Sequence, residues 1–520
     1  MAACRVDVQG VARIRRDIRL RVAFRVDASA QIGTGHFMRC LTLANVLTQR
    51  GVEVRFVCRH IPKHLRGLLL EKGMEYIGLV SDSALAVSGD LAHAAWLGVS
   101  QGQDADATRQ ALADKSWDWL VVDHYALDRC WEAVLRQSVR QIMVIDDLAD
   151  RHHDCDMLLD QNYYAEMQTR YAGKLPAHCR LLLGPGYALL RDEFRQLRKK
   201  NQPRSGPVKR ILVFFGGVDA DNYTGKAIKA LTESGVIGLQ VDVVIGAQHP
   251  CREEIEAVCA AQGYVCHVQT SRMAELMAAA DLAIGAGGTA VWERCCLGLP
   301  ALSICVAANQ QQQIVDAARL GWLYAPVMDG DLIEAIKRHA AALMGNDPLI
   351  QLISHNARNA VDGLGASRVA SKLGCSGIDI RKVVNEDTLN LFQWRNHPDI
   401  RSVSRNPEPI AWENHRKWFE TVMFSQDKVL LIGESKGLPV GVVRFDQQQD
   451  GAEVSIYLVP DAIHSGQGHN LLLAAEYWLK RNHPEIKYIR ACVLDGNKPS
   501  SRLFLGADYQ LEATHYIKKL

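Results

Sequence analysis

Residues 21–51 constrain the fold more than any other part of the sequence. The apolar run 21–26 predicts a β-strand, a turn containing Gly33 and Gly35 follows, and the apolar spacing after His36 predicts a helix. A strand that leads through a glycine turn into a helix presents free backbone N–H groups and the positive end of the helix dipole at one point. This unit therefore predicts an α/β sheet with an anion-binding site at the end of its first strand.

His36 stands at the mouth of this predicted anion site. A neutral imidazole beside a bound phosphate can accept a proton from water near pH 7. The same side chain could equally cap the helix or pack against the turn, because short Gly-x-Gly motifs occur in many proteins. The spacing alone leaves a catalytic and a structural role for His36 open.

Further strand ends carry acidic and aromatic side chains. One predicted strand ends in Asp123-His124-Tyr125, and the next ends in Asp146-Asp147. Strands that alternate with helices form a parallel, doubly wound sheet, and ligands collect at the carboxyl ends of its strands. We therefore expect these residues to share one site with the imidazole, although either of the paired aspartates could instead cap the next segment.

Residues 151–156, with the sequence Arg-His-His-Asp-Cys-Asp, contain several potential metal ligands. Adjacent residues in a loop point in different directions, and the spacing matches none of the usual zinc sites. The segment therefore predicts a solvated polar loop, and we expect no metal in this protein.

A second alternation of strands and helices begins near residue 211. Its first strand ends in Gly216-Gly217, and a later apolar strand enters the turn Gly287-Gly288-Thr289. The glycines allow the backbone to approach a diphosphate closely, and the threonine is a candidate helix cap. The second half of this region therefore predicts its own nucleotide-binding turn.

Glu293 lies about one helical turn beyond Thr289. Its carboxylate is placed to accept hydrogen bonds from the two hydroxyls of a ribose, or else to complement the helix dipole as a first-turn acid. We favour the ribose role. Two sheet domains that face each other, each with a glycine turn, would then form a cleft for a nucleotide-linked substrate.

The order of these motifs resembles the UDP-sugar hydrolase family of pseudaminic acid biosynthesis over roughly residues 21–350. That family has two Rossmann-like domains in a glycosyltransferase-B-like arrangement and removes UDP from UDP-2,4-diacetamido-2,4,6-trideoxy-β-L-altropyranose. The resemblance implies that His36 is the catalytic base and that Tyr125 helps to hold the attacking water. It implies substrate contacts at Gly33, Gly35, Arg39, Asp123, Gly216, Gly217, Gly287, Gly288, Thr289 and Glu293.

The last third of the chain has a different pattern. Successive strands predict an antiparallel meander, and a Gly-x-Gly turn before an apolar helix predicts a second pyrophosphate site. The predicted strands are 378–381, 429–434, 440–446, 452–459 and 486–493, and the predicted helices are 387–396, 412–423 and 471–480.

This order over residues 376–520 resembles the GNAT acetyltransferases, a small α+β fold whose splayed strands admit acetyl-CoA. The resemblance implies acetyl-CoA as the co-substrate. The implied contacts are Leu458, Val459, Gly466, Gln467, Gly468, His469, Asn470, Asn497 and Ser500.

Two features depart from the GNAT pattern. The turn has Ser465 where Arg or Gln is usual and Asn470 where Gly or Ala is usual, and Phe504 replaces the tyrosine that reprotonates the CoA thiolate in many members. Tyr509, Tyr516 and His469 are candidates for that proton donor. Glu453 could relay a proton from the acceptor amine or could be a surface acid.

The composition is that of a globular enzyme with several domains: 520 residues, 48% hydrophobic, 23% charged and a net charge of +2. The small net charge predicts no affinity for nucleic acid, and the lack of a long apolar run or a cleavable leader predicts neither a membrane span nor a signal peptide. Fourteen scattered cysteines favour reduced thiols and a cytoplasmic location. We predict an extension at 1–20 and domains at 21–195, 209–362 and 376–520, separated by a basic crossing at 195–210 and a Gly/Ser-bearing linker at 363–377.

The combined hypothesis is a bifunctional enzyme of pseudaminic acid synthesis. Its GNAT domain would acetylate the 4-amino group of UDP-4-amino-4,6-dideoxy-N-acetyl-β-L-altrosamine, and its first two domains would hydrolyse the product. The alternatives are a glycosyltransferase with an acetyltransferase tail, a non-catalytic nucleotide-sugar sensor, and the related route to legionaminic acid. Because the linker has few apolar residues to bury, we expect that cutting it yields two separately active pieces.

Overall fold

The protein is described by a computed structural model that covers residues 20–29, 31–80, 91–236, 238–307, 310–375, 377–435, 437–463, 466–494, 496–507 and 509–510. The predicted extension, apart from Leu20, lies outside these residues, and so do Ser465 and Tyr516. Three β-sheets organise the described chain.

The first sheet has seven parallel strands in the order β3-β2-β1-β4-β5-β6-β7. Its strands are β1 (Arg21–Val26), β2 (Glu53–Cys58), β3 (Glu75–Gly78), β4 (Trp117–Asp123), β5 (Val139–Ile145), β6 (Met157–Asp160) and β7 (Arg180–Leu183); its helices are α1 (Gly35–Gln49), α2 (Lys63–Glu71), α3 (Gln101–Ala111) and α4 (Arg129–Leu135). Apolar clusters cover both faces of this sheet, as the near-continuous apolar strands predict. The strand order reverses between β1 and β4, which places a crevice between their carboxyl ends.

The second sheet has five parallel strands in the order β10-β9-β8-β11-β12. Its strands are β8 (Arg210–Phe214), β9 (Gln240–Ile245), β10 (Val265–Val268), β11 (Leu282–Ala286) and β12 (Ala301–Ile304); its helices are α5 (Asp192–Lys200), α6 (Tyr223–Glu233), α7 (Arg252–Gln262), α8 (Met273–Ala279), α9 (Ala290–Leu297), α10 (Gln311–Arg319), α11 (Leu332–Met344) and α12 (Asp347–Ala360). The reversal lies between β8 and β11, the two strands that end in the predicted glycine turns. The predicted pair of Rossmann-like domains is confirmed.

The third sheet is mixed, in the order β13-β14-β15-β16-β17. Its strands are β13 (Asp379–Lys382), β14 (Lys428–Ser435), β15 (Leu438–Gln448), β16 (Gly451–Leu458) and β17 (Tyr488–Ala491); the helices of this region are α13 (Gly365–Lys372), α14 (Thr388–Asn396), α15 (Pro398–Arg401), α16 (Trp412–Phe424), α17 (Gly468–Asn482) and α18 (Lys498–Gly506). The first four strands pair antiparallel, whereas β16 and β17 pair parallel. The predicted C-terminal α+β domain is confirmed.

The chain crosses between the first two cores earlier than the basic stretch predicts. Leu189 packs in the core of the first unit, and Leu190 packs in the core of the second. Helix α5 already belongs to the second unit, because Phe194 is fully buried there. The basic side chains of residues 195–200 therefore lie largely on a helix.

The prediction of a linker with little to bury between residues 363 and 377 is wrong. This stretch contains helix α13, whose Val369 is fully buried in the core of the first unit together with Leu373. The Trp119 indole N–H donates to the Leu373 carbonyl at 3.0 Å. A Cβ on Gly365 would lie 2.2 Å from the Ala188 carbonyl oxygen, so the two crossings of the chain touch. The domain boundaries themselves stay a prediction.

Two further features concern the described residues only. None of their helices is both long enough and apolar enough to cross a bilayer. Every cysteine among them is a free thiol.

Candidate functional site

His36 and Asp123 form a buried pair at the switch point of the first sheet. His36 lies in the first turn of α1, and Asp123 is the last residue of β4. The His36 Nδ1 atom lies 2.6 Å from Asp123 Oδ1. Burial alone would raise the pKa of Asp123, but Arg39 and His36 hold it well below its usual range. The ionised Asp123 therefore accepts a hydrogen bond from Nδ1–H, and this leaves Nε2 as the proton-accepting nitrogen of the ring.

Tyr125 and Arg39 complete this group through Asp147. Arg39 donates to Asp123 at 2.6 and 2.7 Å and to Asp147 at 3.2 Å. The Tyr125 hydroxyl donates to the other oxygen of Asp147, and its ring centroid lies 4.5 Å from that of His36. Burial would raise the pKa of Asp147, but Arg39 and Tyr125 outweigh it and keep the carboxyl ionised. The structure thus brings together His36, Asp123, Tyr125 and Asp147. Asp146 instead pairs with Arg151 and caps the next segment at Ala149, and His124 lies against Asp27.

A cavity of about 190 Å³ lies against this group, between the first two units. It is lined from both sides, so a molecule bound there contacts the His36 group and the second glycine turn together. The lining residues are Ile32, Gly35, His36, Arg39, Tyr125, Asp147, Asn162, Tyr164, Gly288, Thr289, Gln310 and Gln313.

The turn after β11 is shaped for a close backbone approach. A Cβ on Gly287 would lie 2.8 Å from Ile314 Cδ1, and Gly288 has a φ of +79°. Thr289 occupies the N-cap position of α9, but its side chain makes no capping hydrogen bond. Glu293 lies one turn further along, half-buried, with an oxygen 3.8 Å from Arg191. Burial raises the pKa of Glu293 to about 7 despite Arg191.

Three of the predicted glycines, Gly33, Gly216 and Gly217, are not among the residues that line the cavity. The N–H of Gly33 donates to the Ser29 carbonyl at 2.8 Å, which closes the turn before α1. Gly216 has a φ of +112°, and the carbonyl of Gly217 lies where a Cβ on Gly246 would be. These glycines shape the backbone, in contrast to Gly35 and Gly288, which line the cavity.

Residues 151–156 form an ion-paired segment, so the prediction of a solvated loop is wrong. His153 is buried and its Nδ1 atom lies 2.7 Å from Glu132. Asp154 and Asp156 both pair with Arg136. Within the part of the chain that the structure describes, no group of three or more histidine, cysteine or acidic residues is arranged to hold a metal ion.

Sequence reasoning missed Asn162, Gln310 and Gln313, which line the cavity. Asn162 follows β6, a four-residue strand that the sequence analysis did not identify. The rule that ligands collect at the carboxyl ends of strands would have found it. The two glutamines lie at the start of α10 and carry no motif.

In the third unit, strand β16 extends beyond the end of its parallel neighbour β17. Strands β16 and β17 pair from Gly451 with Tyr488 to Val454 with Ala491, and β16 continues beyond that point to Leu458, followed by Val459. Separated parallel strands expose backbone groups that an extended ligand arm can bind.

The glycine turn of the third unit leads directly into α17. Gly466 has a φ of +73°, Gln467 is the N-cap residue, and Gly468 is the first residue of the helix. His469 and Asn470 occupy the first helical turn. Free N–H groups at such a helix start favour a bound phosphate.

Two predicted contacts of this unit form a helix cap. The Asn497 side chain accepts from the Ser500 backbone N–H at 3.1 Å at the start of α18.

Phe504 packs edge-to-face on Tyr509, whose hydroxyl donates to a Glu476 oxygen at 2.7 Å. Burial and Glu476 raise the pKa of Tyr509.

Comparison with known proteins separates the chain into two parts. The family profile described as "Acetyltransferase (GNAT) domain" matches residues 378–509. The UDP-2,4-diacetamido-2,4,6-trideoxy-β-L-altropyranose hydrolase of Campylobacter jejuni is 24% identical over 305 residues, which are 58% of this chain and 98% of that protein. An uncharacterized protein of Methanocaldococcus jannaschii is 23% identical over 501 residues, which are 93% of this chain and 96% of its own.

Among solved structures, the glycotransferase of kitacinnamycin has a TM-score of 0.50 and 14% identity, and the match covers 68% of this chain and 98% of that one. At this identity the likeness shows the fold alone, which is the glycosyltransferase-B arrangement. The chain is therefore a fusion of a region homologous to the UDP-sugar hydrolase with a C-terminal acetyltransferase domain of the GNAT family.

Proposed function

We propose that this protein carries out two successive reactions on one UDP-sugar in the cytoplasm. The GNAT domain transfers an acetyl group from acetyl-CoA to the 4-amino group of UDP-4-amino-4,6-dideoxy-N-acetyl-β-L-altrosamine. The cleft between the first two units then hydrolyses UDP-2,4-diacetamido-2,4,6-trideoxy-β-L-altropyranose to UDP and the free sugar. The homology of the first two units to a hydrolase of the diacetylated UDP-sugar supports hydrolysis as the second reaction, and the GNAT match supports an acetyl transfer before it.

The observation that carries the hydrolase proposal is the 2.6 Å contact between His36 and Asp123 beside the cavity. This contact fixes the ring and its tautomer, so Nε2 is the proton acceptor. The Tyr125 hydroxyl already donates its hydrogen bond to Asp147, so its oxygen has a lone pair free to accept a hydrogen bond from a further donor. A water molecule that donates to both His36 and Tyr125 presents its own lone pair to the anomeric carbon of the sugar.

The hydrolytic step then balances with one base. The water oxygen bonds to the anomeric carbon, the bond from that carbon to the diphosphate oxygen breaks, and the electron pair leaves with UDP. The water proton passes to His36 Nε2. A diphosphate leaves without protonation, so the carboxylic acid that ordinary glycosidases require is not needed. Attack from the face opposite UDP inverts the anomeric centre.

The acetyl transfer is assigned to the third unit on its backbone geometry. Acetyl-CoA supplies the acetyl thioester when it is bound. We assign its arm to the β16 backbone near Leu458 and its pyrophosphate to the turn at Gly468. Of the candidates for the proton donor to the thiolate, Tyr509 and His469 lie within the described residues, and we assign the role to Tyr509. Glu453 is paired with Arg405 at 2.8 Å, and we assign it no proton-transfer role.

One experiment tests both reactions. The full chain is incubated with the UDP-4-amino sugar, with and without acetyl-CoA, and then with the pre-acetylated UDP-sugar. We expect ³¹P NMR to show UDP release from the pre-acetylated sugar in water alone, and mass spectrometry to show acetylation only with acetyl-CoA. Release of UDP only after a sugar acceptor is added would overturn the hydrolase assignment in favour of a glycosyltransferase.

A further inference from the structure

Asn162 connects the two halves of the cleft through a buried chain of hydrogen bonds. Its side-chain oxygen accepts from the Trp292 indole N–H at 2.9 Å and from the Gln313 amide at 3.3 Å. Its Nδ2 atom donates to Asp147 Oδ2 at 3.3 Å. Trp292 lies in α9, directly after the turn expected to hold UDP, whereas Asp147 belongs to the His36 group.

The donors fix which way the Asn162 amide faces. An indole N–H can only donate, so the atom facing Trp292 must be the amide oxygen. The amide N–H₂ must therefore face Asp147. Trp292 is fully buried, Asn162 is 7% exposed and Gln313 is 2% exposed, so bulk water does not replace these bonds.

We propose that Asn162 is a positioning residue that couples closure of the nucleotide-binding half to the water-binding pair His36 and Tyr125. The proposal rests on the proposed hydrolase function. When α9 is seated against the first unit, Asn162 donates to Asp147. Asp147 in turn accepts a hydrogen bond from the Tyr125 hydroxyl and holds Arg39 against Asp123. A cleft that opens loses the Trp292 contact and loosens this arrangement, so water is activated only in the closed, nucleotide-bound protein.

The test uses two replacements of the same side chain in the full protein. Asn162→Ala removes the side-chain bonds to Trp292, Gln313 and Asp147. We expect the single-turnover rate of UDP-sugar hydrolysis to fall by about 10²-fold, because misplaced reacting groups cost about that much. The dissociation constant for UDP, measured by calorimetry, should rise by a much smaller factor than the rate falls, because the bond to Trp292 is only one of the contacts that seat α9 against the first unit. Acetyl transfer should be unaffected.

Asn162→Asp separates positioning from a merely structural role. The new carboxylate faces Asp147, which also contacts Arg39, on one side and the Trp292 and Gln313 donors on the other. The nearest further charged groups are Asp160, which accepts from the backbone N–H of residue 162, and its partner Arg170. Two carboxylates at this distance share a proton, and the shared O–H can donate to Asp147 as the amide does. Above the pKa of the pair that donor is lost. We therefore expect hydrolysis by this variant to survive at low pH and to fall as pH rises, a limb that the unmodified protein lacks.

Asn201→Ala is the matched control, because Asn201 donates to the Ala278 carbonyl at 3.0 Å away from the cleft. It should keep the hydrolysis rate and its pH profile. Full-rate hydrolysis by Asn162→Ala, or a pH profile of Asn162→Asp parallel to that of the unmodified protein, would overturn the proposal. If the unmodified protein itself releases no UDP, the proposed function fails instead, so the two failures are distinguishable.

Discussion

The cleft of the first two units is formed by side chains, whereas the glycine turn of the third unit is formed by backbone groups. In the cleft, the proposed base and the groups that hold it are side chains that are buried and bonded to one another, as His36, Asp123, Arg39 and Asp147 are. At the turn before α17, the groups that we expect to face a ligand are backbone N–H groups, and the side chains around them are half-buried. The cleft should therefore be sensitive to side-chain chemistry, whereas the turn should be sensitive to backbone conformation.

The largest effect should follow from removing the base. We expect His36→Ala to lower hydrolysis by roughly 10²–10⁴-fold, the range for losing a positioned base, while UDP still binds and acetyl transfer continues. The measurement is UDP release followed by ³¹P NMR. His64→Ala, at an exposed position on α2, is the control and should keep the full rate. Near-normal hydrolysis by His36→Ala would leave His36 with only a structural role.

Changes to helix α13 should have the next largest effect, because this helix belongs to the core of the first unit and also contacts the third unit. A fragment that ends at residue 363 lacks Val369 and Leu373, whereas one that ends at residue 375 retains them. We expect the shorter fragment to unfold or aggregate and the longer one to stay folded and hydrolyse the acetylated sugar. In the full chain, Leu373→Ala should cost about 2–5 kcal/mol of unfolding free energy. A stable, active shorter fragment would restore the linker prediction.

Gly468→Pro tests the backbone side of the comparison. The ring removes an N–H that we expect to face a phosphate, and it disfavours the helical conformation of the preceding Gln467, which has φ −84° and ψ −9°. We expect acetyl transfer to fall by about 10²-fold, a cost typical of misplaced binding groups, with hydrolysis of the pre-acetylated sugar unchanged. Gly468→Ala is the matched control: its Cβ would lie 3.8 Å from Leu503, and its N–H remains. Equal losses in both variants would mean that space, not the N–H, matters there.

How far the sequence could predict these regions follows from the same contrast. The alternating apolar strands and glycine turns determine the parallel sheets, and strand-end logic grouped His36, Asp123 and Tyr125 correctly in space. Asn162 was missed because the four-residue strand β6 before it was not identified, and its contact with Trp292 joins positions 130 residues apart, which no local pattern reveals. Sequence reasoning also failed for α13, because alanines and one valine in a Gly/Ser-bearing stretch give no apolar run, although tertiary packing buries them.

The smallest expected effect concerns Glu293 and its ionisation. Burial raises its pKa to about 7, so the unliganded protein favours the neutral carboxyl below that pH. The folding stability that this neutral form contributes is lost as pH rises through 7. Binding of UDP should show the opposite trend. An ionised carboxylate accepts from both ribose hydroxyls, so UDP affinity should increase as pH rises through 7.

Glu293→Gln should therefore weaken UDP binding by roughly tenfold at pH 8, the size of one charged hydrogen bond, and hardly at all at pH 6. Calorimetry at the two pH values measures this difference, and Glu275→Gln, an exposed acid paired with Arg272, is the control. Should the two proteins instead show parallel pH dependence, ionised Glu293 does not contact the nucleotide. Its carboxylate would then act only on the dipole of α9, and recognition of the ribose would have to come from the polar side chains that line the cavity.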